Sequence, residues 1–301
     1  MAWVTRGRIV VPDGQAPWVG THAALPAVLD VAGAHRIYFS SRDAGNRSHI
    51  GYATVPRLTP DAPVTFSPSA VLTPGSLGAF DDAGVTMSCV VPHDGRHYLF
   101  YTGWALGVRV PFYLHSGLAV SDDGGDTFTR LSVAPLLDRI DVDPYLNASP
   151  WVIVENGVWR MWYVSGTGWI DTATGPQHRY HVKYAESRDG RHWTRTGHVC
   201  LDYASPEEYA FGRPCVVKDA DRYRMWYCVR GAHYRLGYAE SPDGLVWTRL
   251  DDRAGLEPSA GGWDAEMIAY PVVHDSGGRR VLLYNGNGYG RTGIGLAESA
   301  A

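Results

Sequence analysis

Cysteine is scarce and lysine almost missing in this chain of 301 residues. The four cysteines, Cys89, Cys200, Cys215 and Cys228, show no Cys-x-x-Cys spacing, which predicts neither a zinc site nor a disulfide framework. Lys183 and Lys218 are the only lysines among 27 basic residues, set against 31 acidic ones. The resulting net charge of −4 disfavours a nucleic-acid partner. No apolar run approaches the roughly 20 residues of a membrane helix. The opening segment lacks the charged-then-apolar pattern of a secretory signal, so the expectation is a reduced, cytoplasmic protein with no membrane partner. Apolar residues at helical spacing over three or more turns are missing too. What is abundant is Trp (11), Tyr (18), Gly (35) and Pro (19), the composition of many short strands joined by turns. The chain reads as all-β.

A repeat organises those strands. Arg160-Met-Trp-Tyr163, Lys183-Tyr-Ala-Glu-Ser-Arg-Asp-Gly190 and Trp193-Thr-Arg195 return as Arg224-Met-Trp-Tyr227, Gly237-Tyr-Ala-Glu-Ser-Pro-Asp-Gly244 and Trp247-Thr-Arg249. Three weaker copies follow the same order. With Phe39, Tyr101, Tyr163, Tyr227 and Tyr284 taken as equivalent, the steps are 62, 62, 64 and 57 residues. Each copy holds four strand-like runs separated by turns, the pattern of a propeller. The prediction is one five-bladed β-propeller domain over residues 1–301, with four antiparallel strands per blade. Its blades fall near 18–60, 80–131, 145–196, 209–250 and 263–299.

Propeller geometry sorts the motifs by face. Ser121-Asp-Asp-Gly-Gly-Asp-Thr-Phe128, Ser187-Arg-Asp-Gly190 and Ser241-Pro-Asp-Gly244 fall between the third and fourth strands. Asp and Gly there bind turn amides, so these motifs are expected to be structural. The segments leading into the first strand of each copy lie at the opposite face. Four of them carry acids: Phe80-Asp-Asp82, Asp141-Val-Asp143, Glu207-Glu208 and Trp263-Asp-Ala-Glu266. Loops after the second strand bring Arg47, His115, Arg179, His181, Arg235 and Arg291 to the same face, and two long loops add Trp104 and Trp169. Carboxylates crowded over a channel perturb each other's protonation, which suits acid–base work. The plainer alternative is that they pair with arginines and close the channel.

Phe80-Asp-Asp-Ala-Gly-Val85, Tyr184-Ala-Glu-Ser-Arg-Asp-Gly190, Glu266-Met-Ile-Ala-Tyr-Pro271 and Tyr284-Asn-Gly-Asn-Gly-Tyr-Gly-Arg291 together resemble the five-bladed propellers of glycoside hydrolase families 43 and 32. The nearest likeness is to an uncharacterised branch found with polysaccharide biosynthesis genes. The resemblance implies a carbohydrate-processing enzyme using acids from different blades. One departure is plain: Gly20-Thr-His-Ala-Ala-Leu-Pro26 has no Asp where those families place one, and His22 is the nearest polar replacement. Arg213-Pro214 resembles the Arg-Asp-Pro motif of the sucrose-cleaving branch without its Asp.

The first expectation is therefore a glycosidase-like hydrolase with Glu266 as general acid, Asp82 as general base and Glu208 as a third, orienting carboxylate. The substrate, a sugar or sugar-like small molecule, would be held by Arg47, Trp104, His115, Trp169, Arg179, His181, Arg213, Arg235 and Arg291. No metal or cofactor is called for. The second is a re-purposed propeller enzyme, a lyase, cyclase or isomerase, in which a His/carboxylate pair such as His22 with Asp82 moves protons. The third is a sugar-binding module without chemistry.

Overall fold

The computed structural model describes residues 2–300. β1 (Trp3–Val10) stands apart in sequence from the strands that follow it. Next come β2 (Ala24–Val31), β3 (Ala34–Arg42), β4 (Ser48–Val55) and β5 (Thr65–Phe66), then β6 (Gly84–His93), β7 (Arg96–Leu106), β8 (Phe112–Ser121) and β9 (Thr129–Arg130). The third group is β10 (Asn147–Glu155), β11 (Val158–Thr172), β12 (Gly175–Ser187), β13 (Trp193–Thr194) and β14 (Val199–Leu201). The last two are β15 (Ala210–Lys218), β16 (Tyr223–Arg230), β17 (Tyr234–Ser241) and β18 (Thr248–Arg249), and β19 (Ala269–Ser276), β20 (Arg279–Asn285) and β21 (Ile294–Ser299). Consecutive strands within a group pair antiparallel, except that β13 and β14 both pair with β12. Single parallel pairs, Ser48 with Gly84 and Tyr180 with Ala210, join neighbouring groups into an eight-stranded and a nine-stranded sheet. The fold is all-β, and no helix among the described residues is long and apolar enough to cross a membrane.

Three strands lie outside the expected spans: β1, β5 and β14, the last beyond residue 196 as a fifth strand of the third group, paired with β12. β1 lies outside all five expected spans, yet it pairs with β21 and completes the last four-stranded sheet. Only the tertiary fold brings the chain start to residue 299, so no local pattern marks that pairing. β5 lies beyond the expected end at residue 60, because the first copy has Val64-Thr65-Phe66 where the second, third and fourth carry an aromatic-Thr-Arg motif.

The aromatic repeat positions form the core. Phe39, Tyr101, Tyr163, Tyr227 and Tyr284 are all fully buried. The Gly of the Gly-Tyr-Ala motif is explained by these rings: a Cβ at Gly237 would sit 2.2 Å from the Tyr227 ring. Each tyrosine hydroxyl then needs a buried acceptor. Tyr101 donates to Asp81 at 3.1 Å, Tyr163 to Asp143 at 2.9 Å and Tyr284 to Asp264 at 2.9 Å, while Tyr227 donates to Asp251. The arginine of the aromatic-Thr-Arg motif joins the same carboxylates. Arg130 reaches Asp81 at 2.8 Å, Arg195 reaches Asp143 at 2.9 Å, and Arg249 reaches Asp251 and Glu208. So most buried acids ahead of the first strands hold sheets together.

The Ser-x-Asp turns are structural as expected. Asp189 accepts the Arg191 and His192 amides at 2.8 Å, and Asp243 accepts those of Leu245 and Val246 at 2.8 and 2.9 Å. These backbone hydrogen bonds hold both carboxyls below the usual Asp range. Asp189→Ala and Asp243→Ala should each cost about 0.5–1.5 kcal/mol of stability. Chemical denaturation checks this. A large loss of activity with an unchanged midpoint would contradict the structural assignment.

Candidate active site

A cavity of about 240 Å³ opens where the first strands of the sheets begin. Aromatic side chains wall it: Trp104, Phe112, His178 and Tyr180 on one part, Tyr234, Tyr270 and Tyr289 on another. Trp104 is fixed by its indole N–H to Thr86 Oγ1 at 3.1 Å and packs on Phe112. Ser40, Thr86, Thr102 and Ser149 bring small polar side chains to the lining. The ionisable groups facing the cavity are His22, Arg42, His178, Arg230 and the wall tyrosines; no Asp or Glu lines it.

The floor is built from strained backbone. Leu25, Ser149, Arg213 and Tyr270 all have positive φ, between 48° and 56°. Each sits at a register shift in the first strand of its group, and each is followed by proline: Pro26, Pro150, Pro214 and Pro271. Such conformations cost of order 1–3 kcal/mol each and gather at functional sites. Leu25, Ser149 and Tyr270 line the cavity. Arg213 is fully buried and does not line it; its guanidinium donates to the backbone carbonyls of Met87, at 3.0 Å, and Pro26. Burial pushes the Arg213 pKa down to about 10, so it is charged at neutral pH. It ties three strand groups together rather than holding substrate directly.

His22 is buried at 6% exposure and lines both this cavity and an adjoining notch. Its Nδ1 lies 2.7 Å from Thr21 Oγ1. Burial first, then the guanidinium charges of Arg42 and Arg291, push its pKa down to about 4, against a backbone hydrogen bond with Gly288 that pulls it up. The imidazole is therefore neutral at neutral pH. The Gly286–Arg291 loop places Arg291 there. Asn285 anchors the loop, donating to the Ala23 and Gly293 carbonyls at 2.7 and 2.8 Å and accepting the Leu25 amide at 2.8 Å. Gly290 has φ +96° and packs so tightly that a Cβ would lie 2.7 Å from the Ala23 carbonyl.

The expected site residues separate into two sets. His22 and Trp104 line the cavity, Arg291 lines the notch, and Trp169 stands behind the wall, packed on Phe112 and His178. Glu266 is exposed and lines a groove that shares Arg230, Tyr234 and Tyr289 with the cavity. The others are elsewhere. Asp82 accepts the Gly78 amide at 2.9 Å and closes a turn. Its neighbour Asp81 is the one that points inward, and it is spent on Tyr101 and Arg130. Glu208 is buried under Arg235 at 2.8 Å, Arg249 at 2.8 and 2.9 Å, and the Ala204 amide at 2.8 Å. Arg235 is thereby committed to Glu208 and lines neither cavity nor notch. Arg47 pairs with Asp43, Arg179 covers the Tyr203 ring, His181 lies 3.4 Å from Asp202, and His115 is buried 3.9 Å from Asp138. An acid pair within the cavity, as expected from sequence, is thus not what the lining provides. Arg42, His178 and Arg230 were not anticipated. Arg42 and Arg230 are the last residues of β3 and β16, so the strand ends at this face held the signal.

No family model matches the chain. Two uncharacterised proteins of Mycobacterium tuberculosis, from strains CDC 1551 / Oshkosh and ATCC 25618 / H37Rv, are each 44% identical over 298 residues, covering 99% of both chains. Among solved structures, BT0996 in its RGII complex superposes with a TM-score of 0.74 at 19% identity, over 99% of this protein and 91% of that one. A thermostable family-43 glycoside hydrolase gives 0.69 at 17% identity, over 92% and 88%. The endo-arabinase from Bacteroides thetaiotaomicron gives 0.66 at 14%, over 97% and 98%. The fold is that of the family 43 and 32 glycoside hydrolases.

Proposed function

The chain belongs to one family with the two mycobacterial proteins, and on that footing we propose a carbohydrate-active enzyme that moves protons with His22 rather than with a pair of carboxylates. In this reading the five strand groups are five blades, and the cavity is the mouth of their central channel. The likeness to glycoside hydrolases supports a sugar-like substrate. So does a cavity with aromatic walls and small polar groups, which suits a sugar ring and its hydroxyls. Trp104 stacks on the ring.

The observation that carries the reaction class is the lining: His22 faces the cavity and no carboxylate does. Hydrolysis by an acid pair needs two carboxyls flanking one bond, roughly 5–9.5 Å apart. A neutral imidazole can instead take a proton from a carbon or hydroxyl of the substrate. The Thr21 hydroxyl, 2.7 Å from Nδ1, serves as its relay. The reaction is then an elimination, cyclisation or isomerisation of a sugar-derived substrate, with no redox cofactor called for. Glu266 supports a second reading, a hydrolase whose bond to be cut lies in the groove beside Arg230.

Turnover in ¹⁸O-labelled water separates the two. With candidate sugar-derived substrates, product without label at full turnover is expected. Label in the product, together with loss of activity in Glu266→Gln, would establish the hydrolase instead.

A further inference from the structure

We propose that the notch walled by Arg42 and Arg291 binds an oxyanion, a phosphate or carboxylate group, carried by the substrate; this rests on the sugar-substrate reading above. His22, Arg42 and Tyr289 line both the notch and the cavity, so one molecule can fill both, with its ring between the aromatic walls and its charged group in the notch.

The charges there are unbalanced. Among the described residues, no carboxylate lies within 4.0 Å of either Arg42 or Arg291. Arg42 donates to the Asn46 side-chain oxygen at 3.1 Å, a neutral partner. Asp43 is the only acid lining the notch, and it is already engaged. Arg47 donates to it at 3.1 Å through Nε, the Arg47 amide at 2.9 Å, and His49 faces it at 3.0 Å. Two guanidiniums without carboxylate partners, the half-buried Arg42 and the exposed Arg291, flank the buried His22 and form a site that an anion would pair. Guanidiniums bind phosphate and carboxylate through paired, charge-assisted hydrogen bonds. Arg230 also lines the cavity but not the notch, and it lies against the Tyr209, Tyr234 and Tyr289 rings. Neutral sugars leave the notch unpaired, so the site selects acidic sugars over neutral ones.

The test is titration calorimetry with inorganic phosphate, glucose 6-phosphate, glucuronate and glucose. At least one of the two charged sugars is expected to bind tenfold or more tighter than glucose, and inorganic phosphate to compete with it. Whichever of the two binds tighter identifies the anionic group. Arg42→Ala and Arg291→Ala should each remove most of that preference, about tenfold, without changing glucose binding. Arg188→Ala, exposed in a Ser-x-Asp turn, should change nothing, and thermal melts confirm that each variant folds. Charged sugars binding no tighter than glucose, or a preference that survives both notch substitutions, would overturn the proposal. It stands apart from the assignment of His22: a charge preference lost in Arg42→Ala, alongside full turnover in His22→Gln, would keep the anion site and discard the proton carrier.

Discussion

Replacing His22 with glutamine is expected to lower kcat by about 10²–10⁴-fold, the range of a lost general acid–base group, with KM changed only a few-fold. Steady-state kinetics on the true substrate checks this. Glutamine keeps a polar group beside Thr21 but cannot carry the proton. Asp82→Asn should leave kcat within about threefold, because Asp82 only accepts the Gly78 amide. Near-full activity in His22→Gln, or collapse in Asp82→Asn, would return the chemistry to the carboxylates. The pH profile adds an independent readout. A base must be unprotonated to act, and burial with the Arg42 and Arg291 charges holds the His22 pKa down to about 4. The acid limb of kcat/KM, which reports the free enzyme, is therefore expected near pH 4, well below the ordinary histidine range around 6.5. Activity is lost as pH falls through that limb and is retained above it.

What the sequence made legible was the repeat. The positions of Phe39, Tyr101, Tyr163, Tyr227 and Tyr284, aligned by the repeated motifs around them, are all fully buried, because a periodic chain must put equivalent residues in equivalent places. The roles of the acids were not legible. Asp81 and Asp82 are adjacent and chemically identical. Which one turns inward to meet Tyr101 and Arg130 depends on the path of the chain into β6. Arg130, Arg195 and Arg249 come from β9, from just after β13 and from β18, and among the arginines expected after the second strands only Arg235 pairs with one of these acids, Glu208, so sequence order did not reveal most of the pairing. The strained floor did leave a trace: Leu25-Pro26, Ser149-Pro150, Arg213-Pro214 and Tyr270-Pro271 fall at matching points of four copies. A proline repeated inside an inner strand is a bulge signal, and it marks the cavity more directly than the acids did.

Glu208 offers the sharpest contrast between the two ways of reading an acid. As an orienting carboxylate it would touch substrate, and Glu208→Gln would alter kinetics while leaving the fold intact. Its surroundings point the other way. The side chain is buried, and it receives Arg249 through two guanidinium nitrogens and Arg235 through a third. Burial pushes its pKa up, but the hydrogen bonds from Arg249, the Ala204 amide and Arg235 outweigh that and hold it at about 2. Removing one partner of a buried ion pair typically costs about 3–5 kcal/mol, because the other charge is left without compensation. Arg249 keeps Asp251, so the lower part of that range is expected for Glu208→Gln, measured by urea denaturation at neutral pH. The sign of the pH dependence follows from the lowered pKa. The folded state favours the ionised form, so its contribution is fully present above the ordinary Glu value near 4.3 and disappears as pH falls toward 2. The stability gap between wild type and Glu208→Gln should therefore be widest above pH 5 and close on acidification. A gap that is absent at pH 7, with kcat reduced 100-fold, would make Glu208 a catalytic residue and its arginines part of the substrate site.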